Sequence, residues 1–207
     1  GGPAATSGAA GASATDALDP LAEFQTLFAR ISQDAPHDPT AVTLATADAS
    51  GVPSARMVLL KGVDSRGFHF FTNYDSRKGR ELAENPRAAL CWHWDWLEMQ
   101  VRAEGTVERL SATESDAYFA TRPRGHQLGA WASFQSQPLD SRFALLRRVI
   151  ATEARYLGRA IPRPPHWGGF LLRPERIEFW QGKKSRLHER RHFYLEQGVW
   201  RCERLSP

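Results

Sequence analysis

The sequence predicts a mainly β protein, built as an antiparallel Greek-key barrel with helices packed on its outside. Two observations support this prediction. Most apolar residues fall in short segments with the two-residue alternation of strands, and few segments have helical periodicity. In addition, the strands do not alternate with helices, as they would in a parallel βαβ sheet.

The individual elements follow from local signals. A first helix begins at Asp19 and Pro20, because Asp is a favoured N-cap and Pro fits the first helical position. Its apolar stripe consists of Leu21, Phe24, Leu27, Phe28 and Ile31. Further helices are predicted over residues 76–85, 111–122 and 141–157. Strands are predicted over residues 41–47, 54–60, 68–72, 87–93, 98–110, 169–172, 177–180, 187–194 and 199–205.

The chain divides into a tail and one domain. Residues 1–18 are mainly Gly, Ala, Ser and Thr, which offer little to bury, so we expect disorder there. Residues 19–207 suit a single domain with one hydrophobic core. The tail has no Lys or Arg and so lacks the basic start of a secretory signal. Together with the two cysteines, Cys91 and Cys202, this predicts a cytoplasmic protein with reduced thiols.

Charge and composition limit the expected partners. The chain has 27 Lys and Arg against 23 Asp and Glu, a formal net charge of +4. These basic residues are scattered, whereas nucleic-acid binding favours a dense stripe, so we expect small phosphate-bearing molecules and no nucleic acid. No apolar run reaches membrane-spanning length, so no membrane partner is expected. We predict no metal site, because ligand spacing is absent among His93, His126, His166 and His192.

A cationic segment near the C-terminus gives the strongest functional signal. If the chain is extended there, Arg186, His188 and Arg190 project from one face, because alternate side chains of a strand share a face. Two fixed cations and an imidazole on one face suit an anionic, planar ligand. An ordinary solvated strand face would have the same pattern.

A second cationic group lies at the start of a predicted helix. Ser76 is the predicted N-cap, and Arg77 and Lys78 occupy the first turn. The free backbone N–H groups and the dipole at that end already favour an anion. Cations become favourable there when a phosphate lies between them, so we predict a phosphate site. The alternative is a basic turn that faces solvent.

Other polar side chains are less specific. Arg56 and Lys61 frame an apolar strand, but strict alternation directs them to opposite faces. Tyr118 and Arg122 share a helix face, although the helix dipole alone explains an Arg near a C-terminus. Side chains that could bind ring heteroatoms are Gln100, Gln135 and Ser136.

Taken together, these segments resemble the pyridoxine (pyridoxamine) 5′-phosphate oxidase family. The resemblance extends from about residue 19 to the C-terminus, and its motifs occur in the order and spacing of that family. They are RMVLLK at 56–61, SRKGREL at 76–82, NPR at 85–87, QV at 100–101, YFATRP at 118–123, GAWAS at 129–133, QS at 135–136, WGG at 167–169, EFWQG at 178–182 and RLH at 186–188.

The resemblance implies a split β-barrel of the FMN-binding type, which forms a homodimer with FMN at the subunit interface. The residues implied to bind FMN are Arg56, Met57, Val58, Leu59, Leu60, Lys61, Phe71, Thr72, Arg77, Lys78, Gln100, Gln135, Ser136, Trp180 and Arg190. The residues expected to bind the substrate are Lys61, Tyr118, Arg122, His126, Arg186 and His188, and the last two would be catalytic.

The implied reaction oxidises pyridoxine or pyridoxamine 5′-phosphate to pyridoxal 5′-phosphate. A hydride would pass from the 4′ carbon to flavin N5, and dioxygen would reoxidise the flavin and yield hydrogen peroxide. Arg186 would orient the substrate over the flavin ring, and His188 would hydrogen-bond the 4′ substituent or the ring hydroxyl.

The chain departs from the family pattern in three places. His126 stands where members commonly have a Ser whose hydroxyl contacts the substrate phosphate, so we expect altered affinity rather than lost function. Met99 replaces a common Arg. Residues 1–18 lack the Arg and Tyr with which some members close a lid.

Two other functions are compatible with the same fold. A phenazine-pathway FMN oxidase would act on a tricyclic carboxylated substrate, but Tyr118, Arg122 and Arg186 favour a phosphorylated vitamer. A non-catalytic flavin- or vitamer-binding protein would bind FMN without releasing peroxide.

Overall fold

The structure, a computed structural model, describes residues 17–207. The helices are α1 (Pro20–Gln33), α2 (Arg77–Glu84), α3 (Ala112–Thr121), α4 (Arg124–Ala132) and α5 (Arg142–Arg155). The strands are β1 (Ala41–Ala47), β2 (Pro53–Leu59), β3 (Gly62–Asp64), β4 (Gly67–Asn73), β5 (Arg87–Trp94), β6 (Met99–Arg109), β7 (Trp167–Gln181), β8 (Glu189–Glu196) and β9 (Val199–Arg204). The disorder predicted for residues 1–18 lies almost wholly outside the described residues and stays a prediction.

The strands form one antiparallel sheet. Its order is β2-β1-β5-β6-β7-β4-β3, while β8 pairs with β7 and β9 pairs with β8. The long strand β7 pairs with β4 along its first part and with β8 along its last part. The sheet is curled, because β2, at one end of the strand order, contacts β4 near the other end. This curled antiparallel sheet with flanking helices confirms the predicted mainly β class.

The core lies between α1 and the sheet. Phe24 of α1 is fully buried, and its ring centroid lies 5.0 Å from that of Phe68 and 4.8 Å from that of Trp92. The start of α1 is as predicted, because the Asp19 side chain accepts from the backbone N–H of Ala22 at 3.0 Å. The apolar stripe of α1 therefore closes one side of the barrel.

Some element predictions were wrong. The sequence analysis missed β3 and α4. Two glycines, Gly125 and Gly129, and the absence of a side-chain N-cap make α4 a weak local helix former. The helix forms because Leu128 and Ala132 are buried. Residues 169–172 and 177–180 belong to the single strand β7, since Pro174 lies where the register with β6 shifts and needs no ladder hydrogen bond there.

The segment that contains Arg186 also differs from its prediction. Lys184–Arg186 form a 3-10 turn before β8 begins, and Arg186 has a left-handed φ of 59°. The backbone N–H of Lys183 donates to Nδ1 of His188 at 3.1 Å, which closes the turn. Arg186 lies in this turn and therefore does not extend the face of β8 that carries Arg190, contrary to the prediction from the alternating pattern.

Two further properties of the described chain bear on function. Within residues 17–207, no helix is both long enough and apolar enough to cross a membrane. In the same part of the chain, no group of three or more His, Cys, Asp or Glu residues is arranged to hold a metal ion.

Candidate functional site

A cavity of about 730 Å³ opens between β2, the end of β4, and helices α3 and α4. Many predicted site residues line it, namely Met57, Val58, Leu59, Lys61, Phe71, Thr72, Lys78, Tyr118, Arg122, His126 and Gln135. Segments that are distant in sequence therefore meet, and they bring predicted cofactor-binding and substrate-binding side chains to one place.

One cationic group of this cavity lies around Lys78, at the start of α2. Nζ of the buried Lys78 donates to Oε1 of Gln135 at 3.1 Å, and Oγ1 of Thr72 donates to the same oxygen at 3.0 Å. Burial lowers the pKa of Lys78 to about 8, and the nearby charge of Arg56 acts in the same direction. A bound anion would favour the charged form of this lysine, so the site is suited to a phosphate.

The start of α2 is fixed by its own cap. Oγ of Ser76 accepts from the backbone N–H of Gly79 at 3.2 Å, which confirms the predicted N-cap. A Cβ at Gly79 would lie 2.1 Å from the carbonyl oxygen of Tyr74, so only glycine permits this close approach. The first turn is thereby held against the end of β4, beside the cavity.

Arg56 and Arg77, both predicted FMN ligands, contact a carboxylate rather than lining the cavity. Nε of Arg77 donates to Oε1 of Glu81 at 3.0 Å, and Nη2 of Arg56 lies 3.4 Å from Oε2 of the same residue. Arg56 also donates to Oγ1 of Thr46 and to Oγ of Ser54, each at 2.6 Å. The sequence analysis missed Glu81, although its spacing of four residues from Arg77 is that of a helical ion pair.

The other cationic group of the cavity lies around Arg122, beside a stack of aromatic rings. The ring centroid of Tyr118 lies 3.9 Å from that of Phe71 and 6.1 Å from that of Trp167, and both pairs of rings are stacked. The guanidinium carbon of Arg122 lies 4.5 Å from the centroid of Trp167. Burial lowers the pKa of Arg122, and its buried Nη1 has no hydrogen-bond partner among residues 17–207. Such an orphaned donor is costly unless a ligand supplies the acceptor.

Lys61 and His126 line the same cavity, and both are exposed. Because β2 ends at Leu59 and Lys61 lies beyond it, the opposite orientation predicted for Arg56 and Lys61 stays a prediction. Like Arg56 and Arg77, the predicted FMN residues Leu60 and Ser136 do not line this cavity in the described structure. Leu60 is buried in the core, and Ser136 is exposed with a φ of 64°.

The remaining predicted residues lie elsewhere on the sheet. Gln100 of β6 pairs with Trp180 of β7, which pairs with Arg190 of β8, so the three form a row across neighbouring strands. The ring of His188 lies 4.7 Å from that of Trp180. Within the described chain, neither this row nor Arg186 or His188 lines the 730 Å³ cavity. Trp180 instead lines a second cavity of about 640 Å³.

A buried carboxylate fixes one end of this row. Nε of Arg190 donates to Oε1 of Glu178 at 2.6 Å, and Nη2 of Arg102 donates to Oε2. Burial by itself would raise the pKa of Glu178, but the hydrogen bonds from Arg190 and Arg102 outweigh it and lower the pKa. Arg190 therefore already has a carboxylate partner within its own chain, which it shares with Arg102.

Two family models match this chain. Residues 32–157 match the family model described as pyridoxamine 5′-phosphate oxidase. Residues 167–207 match the model described as the pyridoxine 5′-phosphate oxidase C-terminal dimerisation region. The chain belongs to the pyridoxamine 5′-phosphate oxidase family. This membership confirms the predicted family and the predicted class of enzyme, an oxidoreductase.

Curated relatives of this family match along most of their length. The pyridoxine/pyridoxamine 5′-phosphate oxidase of Rubrobacter xylanophilus is 56% identical over 189 residues, covering 91% of this chain and 87% of that protein. The protein of the same name from Anaeromyxobacter dehalogenans is 55% identical over 191 residues, covering 92% of this chain and 96% of that protein.

Solved structures of the family share the fold. PhzG from Burkholderia lata 383, in complex with tetrahydrophenazine-1-carboxylic acid, has a TM-score of 0.88 at 32% identity, covering 93% of this chain and 95% of that chain. A pyridoxamine 5′-phosphate oxidase-related, FMN binding protein from Nostoc punctiforme has a TM-score of 0.74 at 17% identity, covering 92% and 100%. These similarities confirm the predicted split-barrel architecture.

Proposed function

We propose that the protein is an FMN-dependent oxidase that converts pyridoxine or pyridoxamine 5′-phosphate to pyridoxal 5′-phosphate. Bound FMN would supply a hydride acceptor for the 4′ carbon and pass the electrons to dioxygen, which yields hydrogen peroxide. Pyridoxine 5′-phosphate would give the aldehyde directly, whereas the imine from pyridoxamine 5′-phosphate would take up water and release ammonia. One observation carries the proposal: a single cavity holds two separate cationic groups, around Lys78 and around Arg122. Two phosphorylated molecules bound side by side would require such an arrangement.

The group around Lys78 fits the phosphate of FMN. A dianion there would find three kinds of donor: the ammonium of Lys78, the first-turn N–H groups of α2 and the side-chain NH2 of Gln135. Met57 and Leu59 are exposed on the adjoining edge strand, and both line the cavity. Their apolar side chains would cover part of a flat flavin ring, which explains why they are not buried by the chain itself.

The group around Arg122 fits the phosphate of the substrate. Its free Nη1 would donate to a phosphate oxygen, and Lys61, Tyr118 and His126 line the same part of the chain's cavity. Stacking against Trp167 holds the guanidinium in place before the ligand arrives, so little rotamer entropy is lost on binding.

A second subunit would complete the site. We propose that a homodimer forms and that FMN lies at its interface, in contact with Gln100, Trp180 and Arg190 of the adjoining subunit. The match of residues 167–207 to a dimerisation region supports this arrangement. Arg186 would then orient the substrate ring, and His188 would hydrogen-bond the 4′ substituent or the ring hydroxyl.

A flavin bleaching experiment tests the proposed function. The protein is loaded with FMN and mixed with pyridoxine 5′-phosphate in the absence of oxygen. We expect the visible flavin absorption to bleach, and to return with release of peroxide when oxygen is admitted. Pyridoxine without the phosphate is the control, and it should bleach the flavin only at much higher concentration. Tight FMN binding without bleaching would instead support a non-catalytic binding protein.

The similarity to PhzG keeps a second function in view, because that structure contains a tricyclic carboxylic acid. Identity to PhzG is 32%, whereas the named pyridoxine/pyridoxamine 5′-phosphate oxidases reach 56%. Faster flavin bleaching by a dihydrophenazine carboxylic acid than by pyridoxine 5′-phosphate would favour the second function.

A further inference from the structure

A buried carboxylate joins two arginines, Arg56 and Arg77, beside the proposed FMN phosphate site. Arg77 precedes Lys78 in α2, and the charge of Arg56 lies close enough to lower the pKa of Lys78. The side chain of Glu81 is only 8% exposed. Its Oε1 accepts from Nε of Arg77 at 3.0 Å, and its Oε2 accepts from the hydroxyls of Ser54, at 2.6 Å, and Thr46. Glu81 thus links α2 to strands β1 and β2.

The hydroxyls of Ser54 and Thr46 link Glu81 to Arg56 by hydrogen bonds. Each hydroxyl has one proton and donates it to the carboxylate, so its lone pairs are free to accept from Arg56. Burial raises the pKa of Glu81, but hydrogen bonds from Ser54, Thr46 and Arg77, with the charge of Arg56, bring it to about 2. The carboxylate is therefore ionised at neutral pH and keeps both hydroxyls oriented.

The position of Glu81 limits what it can do for a ligand. Within the described chain it does not line the cavity, so direct contact with a bound molecule is not expected. Its negative charge would by itself repel a phosphate. A benefit for binding must therefore come through Arg56 and Arg77, whose long side chains would otherwise lose rotamer entropy when they bind.

We infer that Glu81 is a positioning residue that holds Arg56 and Arg77 ready for the phosphate of FMN, an inference that rests on the proposed function. FMN and riboflavin differ only in this phosphate. The ratio of the riboflavin Kd to the FMN Kd therefore reports the phosphate contribution alone, whereas general damage to the fold would weaken both ligands together.

The test measures this ratio by quenching of flavin fluorescence. Glu81→Ala should reduce it at least about tenfold, because charge-assisted hydrogen bonds to the phosphate lose their geometry. Glu81→Gln should recover it to within about threefold of the unmodified protein, since the amide oxygen still accepts and hydroxyls can reverse their donor roles. Glu84→Ala, which removes an exposed carboxylate from the same helix, is the matched control and should leave the ratio unchanged.

Ser54→Ala provides an independent variant in case Glu81→Ala does not fold. It removes one of the hydroxyls between Glu81 and Arg56 and should reduce the ratio by about threefold. An unchanged or higher ratio in Glu81→Ala, or a Gln variant as weak as the Ala variant, would overturn the inference. Failure of the unmodified protein to bind FMN would instead refute the proposed function, so the two failures are distinguishable.

Discussion

The cavity and the C-terminal strands use their cations differently. In the group that we call the cavity group, Lys61, Lys78, Tyr118 and Arg122, the buried Nη1 of Arg122 has no acceptor within residues 17–207. In the strand row, Gln100, Trp180 and Arg190, the guanidinium of Arg190 is bonded to Glu178, which it shares with Arg102. The difference shows that residue type alone does not identify an anion site. Arg122 has a buried donor that still lacks an acceptor and is ready for a phosphate, whereas Arg190 already has a carboxylate partner.

The largest expected effect is on activity, and it tests whether the cavity group of one subunit and the strand row of the other form one site. Arg122→Ala alters the cavity group, and Arg186→Ala alters the segment beside the strand row, so each homodimer should lose nearly all activity at substrate concentrations well below the KM of the unmodified protein. Coexpression of the two variants should restore about a quarter of the unmodified activity. Random pairing makes half of the dimers mixed, and each mixed dimer keeps one intact site. Peroxide production by the purified mixture measures the recovery.

A matched mixture controls for incidental effects of coexpression. Arg122→Ala combined with Lys61→Ala places both changes in the cavity group, so every site in a mixed dimer remains damaged and no recovery is expected. If Arg122→Ala and Arg186→Ala also fail to complement each other, then both residues act within the same chain and the proposed shared site is wrong.

The second prediction separates an unpaired arginine from a paired one. Arg122→Met should raise the KM for pyridoxine 5′-phosphate by about 10- to 100-fold, with a smaller change in kcat, because a charge-assisted hydrogen bond contributes about 1.5–3 kcal/mol. Arg124→Met is the control, since the guanidinium of Arg124 is already bonded to Glu153 at 2.8 Å. Steady-state kinetics of both variants measure the difference. Equal effects on KM would remove the distinction between paired and unpaired cations.

The third prediction uses the lowered pKa of Lys78. Below pH 8 the buried ammonium is charged and attracts the FMN phosphate, whose second ionisation is complete by then. Above pH 8 the free protein loses this proton, so the Kd for FMN should rise by up to about tenfold per pH unit until the pKa of the complex is reached. Fluorescence titration from pH 7 to 9.5 measures this rise, and Lys78→Arg should flatten it. A pH-independent Kd in the unmodified protein would show that Lys78 does not contact the phosphate.

Much of the fold could be predicted because its signals are local. Asp19, Ser76 and Ser111 are N-caps as their sequences indicate, and the alternating segments form antiparallel strands. Helix α4 could not be predicted in this way, because its stability comes from burial of Leu128 and Ala132 rather than from its own propensity. Non-local packing of this kind leaves no periodic signal in a glycine-containing segment.

The site shows the same division between local and non-local information. The cations at the start of α2 were predicted from local chemistry, since cap and charge are neighbours in sequence. The row of Gln100, Trp180 and Arg190 was not predicted, because strand pairing joins residues that are far apart in the chain. The family resemblance gave these three only as separate FMN-binding residues. The alternation around Arg186 misled the prediction, because a left-handed backbone angle at a non-glycine residue has no sequence signature.

The smallest expected effect concerns His126, an exposed residue of the cavity lining at a position where the family resemblance implies a Ser. His126→Ser should change the KM for pyridoxine 5′-phosphate by less than about tenfold and leave kcat nearly unchanged, because one hydrogen bond contributes a net of about 1 kcal/mol. Arg122 and Lys61 still carry the charge of the site, so either side chain serves as an auxiliary donor. The change should vanish with pyridoxine that lacks the phosphate. A large fall in kcat would instead place His126 at the reacting carbon, and the cavity group would then extend beyond phosphate binding.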